Sequence, residues 1–219
     1  MADTHDDKEL KNGAPADPGR RRFLKGVGIV GAGAALADQL LLHADAEPQA
    51  ATAAQDGAPG AMKITLQVNG QKREVSVEPR TTLLSALRNH MDPPVTGPKL
   101  VCDQGTCGAC TVILNDRPVC SCLVLAVDVV NKKITTVEGL GTPGSLNPVQ
   151  TAFVEKDGMM CGFCTPGFVT SISAYLKRNP NPTLNQIREA CKGNFCRCGT
   201  YPKVFEAALQ AARSATSKV

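Results

Sequence analysis

Ten cysteines, all beyond residue 100, constrain this 219-residue chain more than any other feature. They are grouped in short segments: Cys102, Cys107, Cys110, Cys120, Cys122, Cys161, Cys164, Cys191, Cys196 and Cys198. Cysteines at such close spacing are typical of metal centres, disulfide frameworks or redox pairs. Histidine is scarce, and only His90 lies beyond residue 61. This scarcity argues against a His-rich metal site and against Cys–His catalysis.

The first group of cysteines begins in segment 102–110, which reads CDQGTCGAC. This C-x4-C-x2-C spacing is typical of plant-type [2Fe–2S] ferredoxins, in which a tight loop brings three thiolates to one cluster. Gly105 and Gly108 allow the backbone to take unusual φ values there. Cys120 and Cys122 are both candidates for the fourth ligand. We expect them on one strand, where they would share a face, so alternation does not choose between them.

The second group combines a C-x2-C pair, Cys161 and Cys164, with a C-x-C pair, Cys196 and Cys198. Each pair is predicted at a junction between a helix and a loop. The positive N-terminus of a helix favours thiolates and a negatively charged cluster. Four thiolates from two such junctions can therefore bind a second cluster. Cys191 is left over, and we expect it to act as a buried small hydrophobic residue.

Residues 62–138 are predicted to form a small mixed sheet of β-grasp type. Asn69-Gly70 is a strong type I′ hairpin signal, and Thr82 can cap a short helix that follows the hairpin. The remaining segments alternate in the manner of half-buried strands. The predicted strands cover residues 64–68, 74–77, 111–114, 119–123 and 133–137.

Residues 147–219 are predicted to form a small four-helix bundle, reached through a Gly- and Pro-rich linker at 139–148. Helices are expected to start at Thr165-Pro166, at the capping box of Thr183 and at Pro202. The predicted fold class is therefore α+β, with a sheet domain followed by a helical domain.

Residues 1–61 are predicted to be an export signal and a disordered spacer. Arg20-Arg21-Arg22 precedes an apolar run from Gly26 to Leu42, and small-residue sites follow. A twin-arginine signal exports proteins that have already folded, often around a cofactor, so we expect a periplasmic location. An uncleaved membrane anchor is the alternative, although the run is short and contains Asp38.

The chain resembles the small [2Fe–2S] subunits of xanthine dehydrogenase-type molybdenum hydroxylases, and most of all the periplasmic aldehyde oxidoreductase branch. The resemblance covers residue 62 to the C-terminus and rests on segments 102–110, SCL at 121–123, CGFCTPG at 161–167 and GNFCRCG at 193–199. The Ser-Cys-Leu segment of the family implies that Cys122 is the fourth ligand of the first cluster and that Cys120 is spare. The implied ligand sets are Cys102, Cys107, Cys110 and Cys122 for the first cluster and Cys161, Cys164, Cys196 and Cys198 for the second.

The resemblance also implies a function. A large partner subunit would bind the substrate at a molybdenum–pterin cofactor, so no catalytic residue is expected on this chain. Electrons would pass to the helical-domain cluster, then to the β-grasp cluster, and then to an FAD subunit or a c-type cytochrome. Two positions depart from the family pattern. Met160 replaces the Gln that is common before Cys-Gly-x-Cys, and Gly199-Thr200 replaces Thr-Gly after Cys-Arg-Cys.

Three alternatives stay open at this point. The chain could be a free-standing exported ferredoxin-like carrier, or an exported protein stabilised by disulfides or by two structural zinc sites. Nucleic-acid binding has no support, because the formal net charge is only +4 and no run of Lys and Arg is interleaved with aromatic residues.

Overall fold

The computed structural model describes residues 60–216, with side chains described up to residue 214. The predicted export signal therefore lies outside the described residues. Five strands form one mixed sheet in the order β2-β1-β5-β3-β4. β1 and β5 pair in parallel, and the other neighbours pair antiparallel. The strands are β1 (Met62–Val68), β2 (Gln71–Val77), β3 (Thr111–Leu114), β4 (Arg117–Cys120) and β5 (Lys133–Thr135).

Two tight turns set the register of the sheet. Asn69 and Gly70 both have positive φ angles, 51° and 81°, which is the type I′ geometry that the Asn-Gly pair predicts. Asn115 and Asp116 connect β3 to β4 in the same way, with φ angles of 46° and 67°. Each turn joins antiparallel neighbours, so the two hairpins form as local units.

The prediction of one strand over 119–123 is wrong. β4 ends at Cys120, opposite Thr111, the first residue of β3. Beyond this point β4 has no strand partner, and the chain instead enters a 3₁₀ turn, Ser121–Leu123. Cys120 and Cys122 therefore do not share a strand face. The last predicted strand also ends early, at Thr135, because the Thr136 N–H donates to Asn69 Oδ1 (2.9 Å).

The helices begin where the sequence predicts. Thr82 caps α1 (Leu83–Ser85), accepting a hydrogen bond from the Ser85 N–H (3.2 Å), and the chain continues in a wider π-type turn, Ala86–His90. The capping box of Thr183 and Gln186 is confirmed at the start of α4. The longer helices are α2 (Pro148–Glu155), α3 (Thr165–Arg178), α4 (Leu184–Cys191) and α5 (Tyr201–Thr216).

Each part of the chain buries its own apolar core. In the sheet part, Leu66, Leu83, Leu87, Val112 and Ile134 are fully buried in one core. In the helical part, the second core is built around Phe153, Phe168, Ile172, Ile187 and Val204. Because burial of apolar surface is the main force that favours folding, two cores allow two cysteine groups to be supported separately.

The predicted mixed α+β fold, a ferredoxin-type sheet part followed by a helical part, is confirmed. The finer description as a β-grasp domain and a four-helix bundle, with boundaries at 62–138 and 147–219, stays a prediction. Within residues 60–216, no helix has the length and apolar character that crossing a membrane requires.

Glu138, in the segment that connects the two parts, fixes the chain just before the first cysteine loop. Its Oε1 accepts a hydrogen bond from the Gly97 N–H (2.6 Å), and its Oε2 accepts one from Thr136 Oγ1 (2.5 Å). On the helical side, Gln150 Nε2 donates to the Val137 carbonyl (3.1 Å). The connecting segment is therefore attached to both parts of the molecule.

Candidate metal centres

The structure brings the first group of cysteines together in contacting pairs. The side chains of Cys102 and Cys107 are in hydrogen-bonding contact, and so are those of Cys110 and Cys122. The fifth thiol, that of Cys120, also contacts Cys110. The loop 102–110 and the turn after β4 therefore meet, as the spacing predicts.

The second group forms two more contacting pairs. Cys164, just before α3, contacts Cys196, and Cys161 contacts Cys198. One thiol of each pair comes from the segment before α3 and the other from the segment between α4 and α5. The pairing therefore joins residues more than thirty positions apart in sequence.

Two pairs in each group fit a two-iron cluster, in which two protein thiolates bind each iron and four bind the cluster. Among residues 60–216, no three Cys, His, Asp or Glu side chains are arranged to hold one metal ion.

The electrostatics of the first loop also suit thiolates. A hydrogen bond from the Gln104 N–H, with a smaller contribution from the Thr106 hydroxyl, lowers the pKa of Cys102 to about 6. Contact with the Cys120 thiol is the largest cause that lowers the pKa of Cys110 to about 5. Burial is the first cause that raises the pKa of Cys107. One thiol of each pair thus ionises readily, while its neighbour resists ionisation. Bound cations would stabilise both thiolates by attraction of opposite charge.

Cys122 and Cys120 differ in their surroundings. Cys122 is buried, and its Sγ accepts a hydrogen bond from the backbone N–H of Gly105. Cys120 Sγ instead donates to the Gly105 carbonyl (3.8 Å). A backbone N–H directed at sulfur supports a ligating thiolate, whereas a carbonyl partner suits a protonated thiol. The choice of Cys122 as the fourth ligand stays a prediction.

The second group has one buried side and one exposed side. Cys196 is buried and Cys164 is half-buried, but Cys161 and Cys198 are exposed. Burial raises the pKa of Cys196, but hydrogen bonds from the side chain and backbone of Thr200, from the Cys164 side chain and from the Gly199 N–H together outweigh it. The pKa therefore falls to about 7. Burial raises the pKa of its partner Cys164 to about 12.

Cys191 belongs to neither group. It is 2% exposed and lies in the core of the helical part. Burial alone raises its pKa to about 12, so it stays a neutral thiol. The structure therefore agrees with its prediction as a small buried hydrophobic residue.

The two cysteine-bearing loops touch each other directly. The Phe195 N–H, next to Cys196, donates to the carbonyl of Cys107 (2.9 Å). Asn194 Nδ2 donates to the carbonyl of Gly108 (3.1 Å), and Asn194 is buried. One backbone hydrogen bond thus connects a residue of the first group to the neighbour of a residue in the second.

Glycines make this close approach possible. Gly108 has a φ of +67°, and a Cβ there would lie 2.4 Å from the Gly193 carbonyl oxygen. A Cβ on Gly167, in the first turn of α3, would lie 2.3 Å from the carbonyl oxygen of Gly108. Gly167 and Asn194 lie within the motifs of the sequence analysis, but no role was predicted for either. Their contacts are with residues far away in sequence, so no local signal indicates them.

Comparison with known proteins identifies two [2Fe–2S]-binding domains in this part of the chain. A model described as a 2Fe-2S iron-sulfur cluster binding domain matches residues 66–136, and one described as a [2Fe-2S] binding domain matches residues 136–209. The aldehyde oxidoreductase iron-sulfur-binding subunit PaoA of Escherichia coli O157:H7 is 40% identical over 199 residues, covering 84% of this chain and 86% of PaoA. The chain belongs to the small [2Fe–2S] subunits of xanthine dehydrogenase-type molybdenum hydroxylases.

Other members of this family agree. The nicotine 6-hydroxylase small subunit of Paenarthrobacter nicotinovorans is 45% identical over 150 residues, or 68% of this chain and 89% of that one. The crystal structure of quinoline 2-oxidoreductase from Pseudomonas putida 86 contains a chain that superimposes with a TM-score of 0.68 at 38% identity. The match covers 72% of this chain and 98% of that chain. The protein is therefore an iron–sulfur subunit of an oxidoreductase, with two [2Fe–2S]-binding domains.

The tight contact at Gly167 gives a testable prediction. Gly167→Ala favours the helix by itself, since Ala is the better helix former, but its methyl group would push the two loops apart. We expect a loss of about 1–3 kcal/mol in the free energy of unfolding, as for overpacked sites. We also expect faster hydrogen exchange in the peptide that contains Phe195, measured by mass spectrometry.

Gly193→Ala is the matched control, because a Cβ at Gly193 has no atom within 4 Å. It should leave both the stability and the exchange near those of the unmodified protein. Equal effects of the two substitutions would contradict the role given to the Gly167 contact.

Proposed function

We propose that this chain relays electrons from the molybdenum–pterin cofactor of a large partner subunit to an external acceptor. The second cluster, bound by Cys161, Cys164, Cys196 and Cys198, receives the electrons. The first cluster, bound by Cys102, Cys107, Cys110 and Cys122, passes them on. When bound, the two clusters supply one-electron redox chemistry, and the chain's own residues hold them close together.

The contact between the two cysteine loops is the observation that carries this proposal. Electron transfer slows steeply with distance, so a relay needs its two centres on neighbouring segments. The hydrogen bond from Phe195 to the Cys107 carbonyl joins the segment next to Cys196 to a ligand of the first cluster.

The surface around the second group supports a protein partner on that side. Exposed apolar side chains adjoin the exposed Cys161 and Cys198: Met160 is 69% exposed, Phe163 51% and Phe195 52%. Aromatic residues and Met are enriched where proteins bind each other, and grouped exposed apolar side chains mark such surfaces. Met160, the departure from the family's Gln, belongs to this surface.

The first group has a separate apolar border. Leu100 and Val101 precede Cys102 and are 51% and 54% exposed, and Leu123 follows Cys122 and is 66% exposed. We propose that this side meets the electron acceptor, an FAD subunit or a c-type cytochrome. The two redox partners would then approach from different surfaces of the chain.

The similarity to PaoA favours an aldehyde oxidoreductase complex. We assign no catalytic residue to this chain, and the partner subunit would select the substrate. Because residues 20–42 have the pattern of a twin-arginine signal, we also propose that the folded, cluster-loaded chain is exported and works in the periplasm.

Purification of the native complex tests the relay directly. We expect four irons for each copy of this chain, molybdenum with a large co-purifying subunit, and two distinct [2Fe–2S] signals in electron paramagnetic resonance (EPR) at low temperature. A protein that purifies alone with iron would favour the free-standing carrier, and thiols bound to zinc or paired as disulfides would refute both.

The proposed partner surface can be tested in the same purification. Met160→Glu adds a charge next to Cys161 and should reduce recovery of the large subunit. Leu184→Glu, at another exposed apolar position (38% exposed), is the control and should not.

A further prediction separates Cys122 from Cys120. Cys122→Ser should remove or strongly alter the first cluster and leave the second cluster's EPR signal intact, since it removes a ligand. Cys120→Ser should keep four irons per chain, because Cys120 is spare. The opposite pattern would show that Cys120 is the fourth ligand.

The export proposal predicts a change of compartment. With Arg20→Lys and Arg21→Lys together, the protein should accumulate in the cytoplasm while still containing iron, as judged by fractionation and metal analysis. Arg73→Lys, in the body of the chain, is the control and should be exported normally. Normal export of the double variant would refute the twin-arginine route.

A further inference from the structure

Thr200 lies against one of the proposed cluster ligands. Its hydroxyl oxygen is 3.0 Å from Cys196 Sγ. Both residues are buried, with Thr200 8% and Cys196 5% exposed. Water therefore has little access to this contact, and a hydrogen bond there is stronger than it would be on the surface.

The backbone around Thr200 fixes the position of the hydroxyl. The Thr200 carbonyl accepts the hydrogen bond of the Val204 N–H (3.0 Å) at the start of α5. Gly199, with a φ of +80°, turns the chain back over Cys196, and its N–H donates to the Cys196 carbonyl (3.3 Å). Thr200 is therefore held at a helix start rather than on a free loop.

The next residue holds Cys196 from the other side. The Tyr201 hydroxyl accepts a hydrogen bond from the backbone N–H of Cys196 (2.8 Å). The Tyr201 ring packs edge-on against Phe168 in the core, with 5.9 Å between the ring centres. Thr200, just before α5, thus contacts the sulfur of Cys196, and Tyr201, the first residue of α5, holds the backbone of the same cysteine.

Iron binding determines which group donates the hydrogen bond between Thr200 and Cys196. Without metal, either the thiol or the hydroxyl can donate the hydrogen atom. A cysteine that ligates iron has lost its proton, so only the hydroxyl can donate. A donor at a ligating sulfur stabilises the reduced cluster more than the oxidised one, because reduction adds a negative charge, and this raises the reduction potential.

We propose that Thr200 tunes the second cluster, raising its reduction potential through a hydrogen bond to the Cys196 thiolate. This inference rests on the proposed ligand set and extends it. It gives a role to the departure noted in the sequence, where Gly199-Thr200 replaces the family's Thr-Gly. A higher potential makes the second cluster a better acceptor for electrons from the partner subunit.

The test compares Thr200→Val with Thr200→Ser in the intact complex. Val keeps the shape of Thr but has no hydroxyl, so the midpoint potential of the second cluster should shift to a lower value. Ser keeps the hydroxyl and should restore most of the potential. The potentials are measured by redox titration followed by EPR, and that of the first cluster should not move in either variant.

A second readout detects the hydroxyl proton itself. In D2O, pulsed EPR of the reduced second cluster should show a coupled deuteron that is present in the unmodified protein and in Thr200→Ser. The same signal should be absent from Thr200→Val. Activity is not needed for either measurement.

Thr170→Val is the matched control. Thr170 is fully buried in α3, and its hydroxyl has no hydrogen-bond partner among the described residues. This substitution makes the same chemical change in the same part of the chain, so neither cluster potential should shift.

Three results would overturn the proposal. The first is an unchanged potential in Thr200→Val with both clusters intact, and the second is an equal shift in the Val and Ser variants. The third is loss of the second cluster in Thr200→Val alone, which would assign the hydroxyl to cluster assembly. Failure of the ligand set is a separate outcome: Cys196→Ser would then leave both EPR signals unchanged.

Discussion

The contact between the two cysteine loops is the interaction on which the rest of the structure depends. It consists of one backbone hydrogen bond, from Phe195 to the Cys107 carbonyl, and one side-chain hydrogen bond, from Asn194 to the Gly108 carbonyl. Both acceptors lie in the loop of the first group, and both donors lie beside Cys196. Each part has its own apolar core, and this contact joins the two groups of cysteines directly.

Close approach of the two loops requires that side chains be absent. A methyl group on Gly108 would overlap the carbonyl oxygen of Gly193, and one on Gly167 would overlap the carbonyl oxygen of Gly108. Ala would stabilise α3 at position 167, so Gly there trades helix propensity for a short distance between loops. This trade suits an electron-transfer protein, because the distance between the two centres affects the rate of electron transfer more than a small loss of stability does.

The immediate surroundings of the cysteines explain how the chain can hold so many thiolates. Backbone N–H groups of Gln104 and Gly105 are directed at sulfurs of the first group, and the Thr200 hydroxyl contacts Cys196 in the second. Cys120 adds a thiol next to Cys110. These groups determine the charge environment of the neighbouring cysteines.

The sequence by itself determined which residues could bind the clusters and where most elements begin. Loop spacing, the Asn-Gly turn and the capping box at Thr183 are local, and local signals survive in any tertiary context. Tertiary structure alone decided that β4 stops at Cys120, because strand length depends on the partner strand, and β3 starts only at Thr111. It alone also paired Cys161 with Cys198 and Cys164 with Cys196, and placed Asn194, Gly167 and Thr200 against their partners. These contacts depend on where distant segments, or a loop and the helix after it, come to lie, and no local sequence signal specifies that.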